Sequence, residues 1–265
     1  MLENSLQYLQ QKLGDFIPDT AVVLGSGLGL LTASVDNPII IPYSEIPDFP
    51  QTTVVGHAGC FYAGRLGKHN VLFMQGRFHL YEGIAPRLIA DIVNILKQLG
   101  VKQLLLTNAA GSLNVDMPEG SLMLIKDHIN FSGRNPLIGL SGGPSFVDMS
   151  AAYDIDLRQK MKRIAADNNI KLYEGVYIMA LGPNYETPSE VRLFKMFGAD
   201  AVGMSTVPEV ISAMRSGIKV LGISVISNLG TGLTDKVQNH EDVMVTVAES
   251  LESLIVLLHK FLEEE

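Results

Sequence analysis

The chain has 265 residues, of which 47% are hydrophobic and 18% are charged, a composition typical of a globular protein with a large buried core. Twenty basic against 28 acidic side chains give a formal net charge of −8, and no Lys/Arg-rich run is present, which argues against a general nucleic-acid-binding surface. The single cysteine, Cys60, excludes an intrachain disulfide and suits a reducing cytoplasm.

The two ends of the chain carry no pattern of a targeting or membrane-spanning segment. Residues 1–14 are polar and amphipathic and lack the basic-then-apolar layout of a signal peptide. The longest apolar tract, residues 243–262, is interrupted by acidic and basic side chains and is unsuited to a bilayer. We therefore expect a soluble, cytoplasmic protein that does not interact with membranes.

Short apolar, β-branched runs alternate with helical patterns along the chain. Strands are predicted at residues 20–24, 71–74, 103–107, 121–125, 173–179 and 219–227. Helical spacing of apolar residues predicts helices at 85–99, where Gly100 suits the C-terminal cap, and at 243–261. Because the strands are continuous apolar runs, the sheet should be buried on both faces. The predicted fold class is α/β: one domain over residues 1–265, with a central mixed, largely buried sheet flanked by helices.

Several polar or Gly-rich segments directly follow predicted strands, where sheets of this class bind their ligands. The first is the loop 25–29, in which backbone amides can approach an anion and Ser26 offers a hydroxyl. A dinucleotide-binding loop would need glycine at position 30, where Leu30 stands. The loop therefore predicts contact with phosphate rather than with a nicotinamide cofactor, and a purely structural tight turn is the alternative.

The segment 76–83, with the sequence GRFHLYEG, carries the strongest site signal. Arg77, His79 and Tyr81 alternate, so an extended backbone would direct all three side chains to one face. A planar cation, an imidazole and a phenol together suit anions and hydroxyl groups. The alternative is a solvated edge strand, but a polar face between two glycines at the end of a strand favours a site.

Two helix starts fit the capping-box pattern, at residues 187–190 (TPSE) and 206–209 (TVPE). A hydrophobic staple would place an apolar side chain before the first box, where Glu186 stands instead. Glu186 is therefore interpreted as functional, with an exposed loop acid as the alternative. Ser205 precedes the second box, beside the positive end of a helix, and suits a bound anion.

The histidines differ in their context. His240 follows Asn239, a residue type that favours the N-cap position, with Asp242 at the third helical position, and the helix dipole there favours a neutral hydrogen-bonding imidazole. An ordinary exposed histidine is the alternative. His57 lies in a Gly-rich segment, 56–59, that suits a lid. No cluster of His, Cys and Asp has metal-ligand spacing, so we expect no metal site.

Six segments occur in the order in which they are found in one enzyme family: 25–29, 76–83, 107–111, 182–186, 201–210 and 239–241. Together they resemble the trimeric purine nucleoside phosphorylases that act on inosine and guanosine, and 201–209 (AVGMSTVPE) is the most specific of them. The resemblance implies a single α/β domain, a homotrimer, and reversible phosphorolysis of 6-oxopurine ribo- and 2′-deoxyribonucleosides. It implies no cofactor, with inorganic phosphate as a co-substrate and no nucleic-acid or membrane partner.

The resemblance also implies roles for individual residues. Phosphate would be bound by Ser26, Arg77, His79, Ala109 and Ser205. Ribose would be bound by Tyr81, Met204 and His240. The base would be bound by Glu186, Asn228, Tyr185, Val202, Ala110 and Gly111. Asn228, Glu186 and His79 would be the catalytic residues, and His57 would be the gating histidine.

Two positions depart from the family pattern. Ser227 stands where relatives often have threonine, and the loop 137–146 looks shorter and richer in glycine at the place where a neighbouring subunit usually contributes an aromatic residue. Phe146 is the nearest candidate for that residue and is not assigned to the role.

Three other functions are alternatives for this sequence. A methylthioadenosine phosphorylase of the same fold would tend to have aspartate where Asn228 stands. A non-catalytic nucleoside-binding protein is disfavoured because Arg77, His79, Glu186 and Asn228 are all present. A nucleotide-dependent oxidoreductase ranks last because the loop 25–29 lacks the third glycine of such sites.

Overall fold

A mixed sheet forms the centre of the protein in the computed structural model, which describes residues 2–25, 28–35, 37–53, 58–141, 146–235 and 239–264. The side chains of Ser34, His240, Glu241 and Glu249 are not described. The strands are β1 (Thr20–Leu24), β2 (Ile39–Pro42), β3 (Cys60–Leu66), β4 (His69–Gln75), β5 (Gln103–Ser112), β6 (Leu122–Asn130), β7 (Leu172–Met179), β8 (Ala201–Gly203) and β9 (Lys219–Leu229). The helices are α1 (Glu3–Leu13), α2 (Pro86–Leu99), α3 (Ile155–Asp167), α4 (Pro188–Met196), α5 (Val207–Arg215) and α6 (His240–Glu263).

The strands are arranged in the order β2-β3-β4-β1-β5-β8-β7-β6-β9, and β9 also pairs with β5. Five strands therefore close on themselves, while β1, β4, β3 and β2 extend from them as an open sheet. The pairs β1–β4, β1–β5 and β5–β9 are parallel, whereas β2–β3, β3–β4, β5–β8 and β6–β9 are antiparallel. The α/β class with a mixed sheet flanked by helices is confirmed.

Strand β1 shows why the sheet is buried on both faces. All five of its residues are buried, and consecutive side chains point to opposite faces of the strand. Ala21 and Val23 belong to one hydrophobic cluster, and Val22 and Leu24 belong to another. Helices contribute to both clusters and so cover both faces of the sheet, as continuous apolar strands predict.

The predicted elements are found, with differences in length. Five of the six predicted strands lie within observed ones, and the sixth, 121–125, starts one residue before β6. Strands β5 and β6 continue well beyond residues 107 and 125. The predicted helix 85–99 is α2, and Gly100 caps it in the left-handed conformation with φ of 114°. The predicted helix 243–261 is α6, which begins at His240 because the Asn239 side chain accepts a hydrogen bond from the Asp242 N–H.

The two predicted capping boxes have opposite outcomes. At α4 the Thr187 hydroxyl accepts from the Glu190 N–H at 3.2 Å, and the Glu190 carboxylate accepts from the Thr187 N–H at 2.8 Å. At α5 the prediction is wrong: Thr206 has φ of 77° and makes no side-chain cap. Its hydroxyl instead accepts from the Asn108 side-chain amide at 2.9 Å, because tertiary partners replace the local ones.

The topology gathers the ends of several strands on one side of the sheet. The parallel strands β1, β5 and β9 run towards that side, and the segment after β4 ends there as well. In the part of the chain that the structure describes, no helix is long and apolar enough to cross a membrane.

Candidate active site

One pocket lies at these strand ends and brings together residues that are far apart in the sequence. Every predicted site residue whose side chain the structure describes lines it: Arg77, His79, Tyr81, Ala109, Ala110, Gly111, Tyr185, Glu186, Val202, Met204, Ser205 and Asn228. Ser26 and His57 lie outside the described residues, and His240 is described only through its backbone. The roles assigned to Ser26, His57 and His240 therefore remain predictions.

Arg77 forms the buried floor of one end of the pocket and is only 2% exposed. Its Nε donates to the Glu209 carboxylate at 2.8 Å, and its Nη1 donates to the Thr107 carbonyl at 2.6 Å. Nη1 also lies 3.3 Å from the Ser205 hydroxyl. A guanidinium held in this way is a fixed cation with directed donors, which suits a small oxyanion.

The expected extended arrangement of Arg77, His79 and Tyr81 is wrong. Strand β4 ends at Gln75, and residues 80–82 form a single turn of 3₁₀ helix with His79 at its N-cap. The Tyr81 ring stacks on the His79 ring with centroids 4.7 Å apart. The three side chains still share the pocket, but a turn rather than a strand brings them there.

Glu82 holds the His79 imidazole from behind. Its Oε1 accepts from the His79 backbone N–H at 2.8 Å and lies 3.0 Å from Nδ1 of the ring, while Oε2 accepts from the Thr53 hydroxyl and N–H. Burial opposes ionisation of this carboxyl, but the hydrogen bonds from His79 and Thr53 prevail and lower its pKa from 4.5 to about 2. Glu82 is therefore an anion at neutral pH that fixes the orientation of His79.

Ser205 lies at the start of α5, where backbone N–H groups and the helix dipole favour negative charge. It is 7% exposed, and its N–H donates to the Tyr177 hydroxyl at 3.3 Å. Burial raises the pKa of Tyr177 to about 12, so its hydroxyl stays protonated. Arg77, His79 and Ser205 thus form the end of the pocket that can hold an anion.

Glu186 also lines the pocket, from the loop before α4. Its exposure is only 8%, so the alternative of an exposed loop acid is excluded. Burial raises the pKa of its carboxyl. A buried acceptor of this kind can bind an N–H group of a ligand.

Asn228 lies on β9 at an irregularity in its pairing with β5, where the register shifts between Ala110 and Gly111. The Ser227 hydroxyl donates to Asn228 Oδ1 at 2.8 Å, and Asn228 Nδ2 donates to the Leu229 carbonyl at 3.1 Å. A Cβ on Gly111 would lie 3.1 Å from Asn228 Nδ2, so glycine lets β5 approach the carboxamide closely. Bulges are common beside active sites because they redirect side chains.

Some residues that shape the pocket were not predicted as site residues. Glu209 was interpreted as part of a capping box, and Asn108 and Tyr177 lie within or next to apolar runs. A polar side chain inside a buried strand was the available signal for Asn108, because buried polar groups need partners. No signal in the sequence pairs Glu209 with Arg77, since 132 positions separate them.

Within the described ranges, no group of three or more His, Cys, Asp or Glu side chains is placed to hold a metal ion. The pocket instead combines a cation and hydroxyl groups with a carboxylate and a carboxamide. The cation and the hydroxyl groups suit a small oxyanion, and the carboxylate and the carboxamide suit the edge of a planar heterocycle with N–H and C=O groups.

Comparison with known proteins gives consistent matches. The family model described as the phosphorylase superfamily matches residues 19–263. Purine nucleoside phosphorylase 1 of Bacillus subtilis is 48% identical over 246 residues, which cover 92% of this chain and 90% of that protein.

Solved structures of the Schistosoma mansoni purine nucleoside phosphorylase are also similar. Its complex with inosine has a TM-score of 0.93 at 38% identity and covers all of this chain and 96% of the other. Its complex with adenosine has the same TM-score and identity and covers 99% and 96% of the two chains.

Proposed function

Because the chain belongs to the phosphorylase superfamily and, within it, to the purine nucleoside phosphorylases, we propose that it catalyses the reversible phosphorolysis of 6-oxopurine nucleosides. A purine nucleoside and inorganic phosphate give the free base and ribose 1-phosphate, and 2′-deoxynucleosides give deoxyribose 1-phosphate. The observation that carries this proposal is that one pocket is lined both by Arg77, His79 and Ser205 and by Glu186 and Asn228.

The anion-binding end is assigned to phosphate. Arg77 supplies a fixed positive charge, His79 and Ser205 supply hydrogen bonds, and the backbone N–H of Ala109 supplies a further donor. Ser26 completes this set in the proposal. Tyr81, Met204 and His240 are assigned to the ribose between the two ends, and His57 is assigned to gating.

The chemistry requires charge stabilisation on both sides of the glycosidic bond. As that bond breaks, positive charge develops on the ribose and negative charge develops on the departing purine. Phosphate held beneath C1′ stabilises the sugar and attacks it, so no protein nucleophile is needed. A hydrogen bond from Asn228 to N7 or O6 stabilises the purine, and such a preorganised donor contributes about 3 kcal/mol in comparable sites.

Glu186 sets the preference for 6-oxopurines in this proposal. Its buried carboxylate accepts the N1–H of hypoxanthine or guanine, which adenine lacks. Tyr185, Val202, Ala110 and Gly111 form the remaining surface against the base. The adenosine complex of the Schistosoma mansoni protein concerns binding by that protein, whereas the expectation for this chain is slow turnover of adenosine.

The proposal includes a cytoplasmic homotrimer that needs no cofactor or metal. Exposed apolar side chains in the loop 137–146 support an interface with further copies, since Ile138 is 76% exposed and Phe146 is 94% exposed. Both side chains border an open surface cavity of about 540 Å³. Light scattering on the purified protein tests the trimer: a monomer at working concentration contradicts it.

Purified protein incubated with inosine, guanosine, adenosine or methylthioadenosine, each with and without phosphate, tests the function. We expect hypoxanthine and guanine to be released only when phosphate is present. Release that ignores phosphate would indicate a hydrolase, and preferred cleavage of methylthioadenosine would indicate the related phosphorylase. Activity that survives dialysis against EDTA is expected, because no metal takes part.

A further inference from the structure

Glu209 forms a buried ion pair with Arg77 and has no role in the substrate contacts proposed above. Arg77 Nε and Glu209 Oε1 are 2.8 Å apart, and the two side chains are 2% and 9% exposed. Desolvating a carboxylate to this degree is costly unless its partner compensates the charge. Among the described residues, Arg77 is the only ion-pair partner recorded for Glu209, so the carboxylate depends on this guanidinium.

One side of the pair faces apolar residues. A small cavity of about 20 Å³ lies against both side chains and is bounded by Val23, Met74 and the inner face of α2. Glu209 Oε2 is buried and accepts no hydrogen bond from the described residues. The carboxylate is thus bound through one oxygen, and that oxygen is the one that holds Arg77.

The geometry at Arg77 shows what this contact does. Glu209 holds Nε and the Thr107 carbonyl holds Nη1, so two acceptors fix two nitrogens of one rigid plane. Fixing the plane of a guanidinium fixes the directions of all its N–H groups. The same Nη1 lies 3.3 Å from the Ser205 hydroxyl, at the anion-binding end of the pocket.

We propose that Glu209 is a positioning residue for phosphate: it sets the orientation of Arg77 through the Nε contact and offsets the guanidinium charge while the pocket is empty. This rests on the phosphorolysis proposed above. Glu209 and Ser205 are both delivered by the start of α5, so one helix terminus supplies a direct anion contact and the carboxylate behind the cation.

Glu209→Ala removes the acceptor that holds Arg77 Nε, so the plane of the guanidinium is fixed less tightly. We expect the KM for phosphate to rise about tenfold or more, since one charge-assisted hydrogen bond orients the cation. The KM for inosine should stay within about twofold, because Glu209 does not contact the pocket end that holds the base. Glu209→Gln keeps an oxygen acceptor for Nε and should restore most of the phosphate affinity.

Ser212→Ala is the matched control, since Ser212 is a buried polar residue of α5 whose hydroxyl donates to the Pro208 carbonyl within the same helix. Phosphate-induced thermal stabilisation of each variant gives a second readout that needs no turnover. If Glu209→Ala does not fold, Glu209→Asp must show the selective rise in phosphate KM.

Equal changes in both KM values, or an unchanged phosphate KM, would overturn the positioning role while leaving phosphorolysis intact. Wild-type protein without phosphate-dependent cleavage would instead overturn the proposed function. In that case the thermal shift still decides the inference: phosphate must stabilise the wild type more than Glu209→Ala.

Discussion

Replacing Glu186 by glutamine isolates the negative charge that is proposed to recognise the base. Glutamine has nearly the same shape but lacks the negative charge. A hydrogen bond to a charged group contributes about 1.5–3 kcal/mol. Its loss corresponds to a decrease of about 10- to 150-fold in kcat/KM for inosine, because each 1.4 kcal/mol is about tenfold.

The assay compares kcat/KM for inosine and adenosine at saturating phosphate. Adenosine has no N1–H to donate, so its slow turnover should change by less than about threefold. Glu174→Gln is the matched control, since Glu174 lies on β7 and pairs with Arg158 and Lys162 away from the pocket. Equal losses on both nucleosides would refute the assignment of Glu186 to the N1–H.

The same substitution also has a predicted effect on stability. Burial raises the pKa of Glu186, so the folded protein disfavours the ionised form relative to the unfolded chain. The carboxyl therefore destabilises the fold once the pH rises above its unfolded value of 4.5. Glu186→Gln should raise the Tm of the ligand-free protein at pH 7, and the difference should vanish below pH 4.5.

Three further predictions concern the pocket. Asn228→Asp should shift the preference from inosine towards adenosine, because a carboxylate accepts from the 6-amino group; an unchanged kcat/KM ratio would count against Asn228 as the contact to N7 or O6. Gly111→Ala places a Cβ about 3.1 Å from Asn228 Nδ2 and should lower kcat on inosine about tenfold without unfolding the protein. A folded variant with near-wild-type kcat would disprove this. Glu82→Gln should cost at most about 3 kcal/mol of stability at neutral pH. The gap should shrink as the pH falls from 4.5 through about 2, where the wild-type carboxyl takes up its proton, and a gap that stays undiminished over this range would contradict the prediction.

The sequence predicts the central strands and the residues of the pocket well, because both depend on local patterns. Continuous apolar runs mark β1 and β9, and unusual polar residues such as Asn228 and Glu186 interrupt or follow them. The edge strands β2 and β3 and the short β8 were not predicted. Strand β3 alternates buried and more exposed residues only in part, and β8 has three residues, which is too short for a pattern.

The failures concern contacts between distant parts of the chain. Thr206 and Glu209 fit a capping box, but Asn108 and Arg77 take their side chains instead. Likewise, alternation placed Arg77, His79 and Tyr81 on an extended strand, whereas Glu82 closes a turn there through its bond to His79. Local sequence supplies the residues in both cases, and tertiary hydrogen bonds decide their geometry.

Central to the account is a phosphate oxygen that forms the new bond to the anomeric carbon. Phosphorolysis of inosine with phosphate carrying ¹⁸O at every oxygen, followed by mass spectrometry of the sugar product, tests this most directly. We predict ribose 1-phosphate that retains the full label, in an amount equal to the hypoxanthine released. Free ribose, or ribose 1-phosphate that has lost one labelled oxygen, would contradict it.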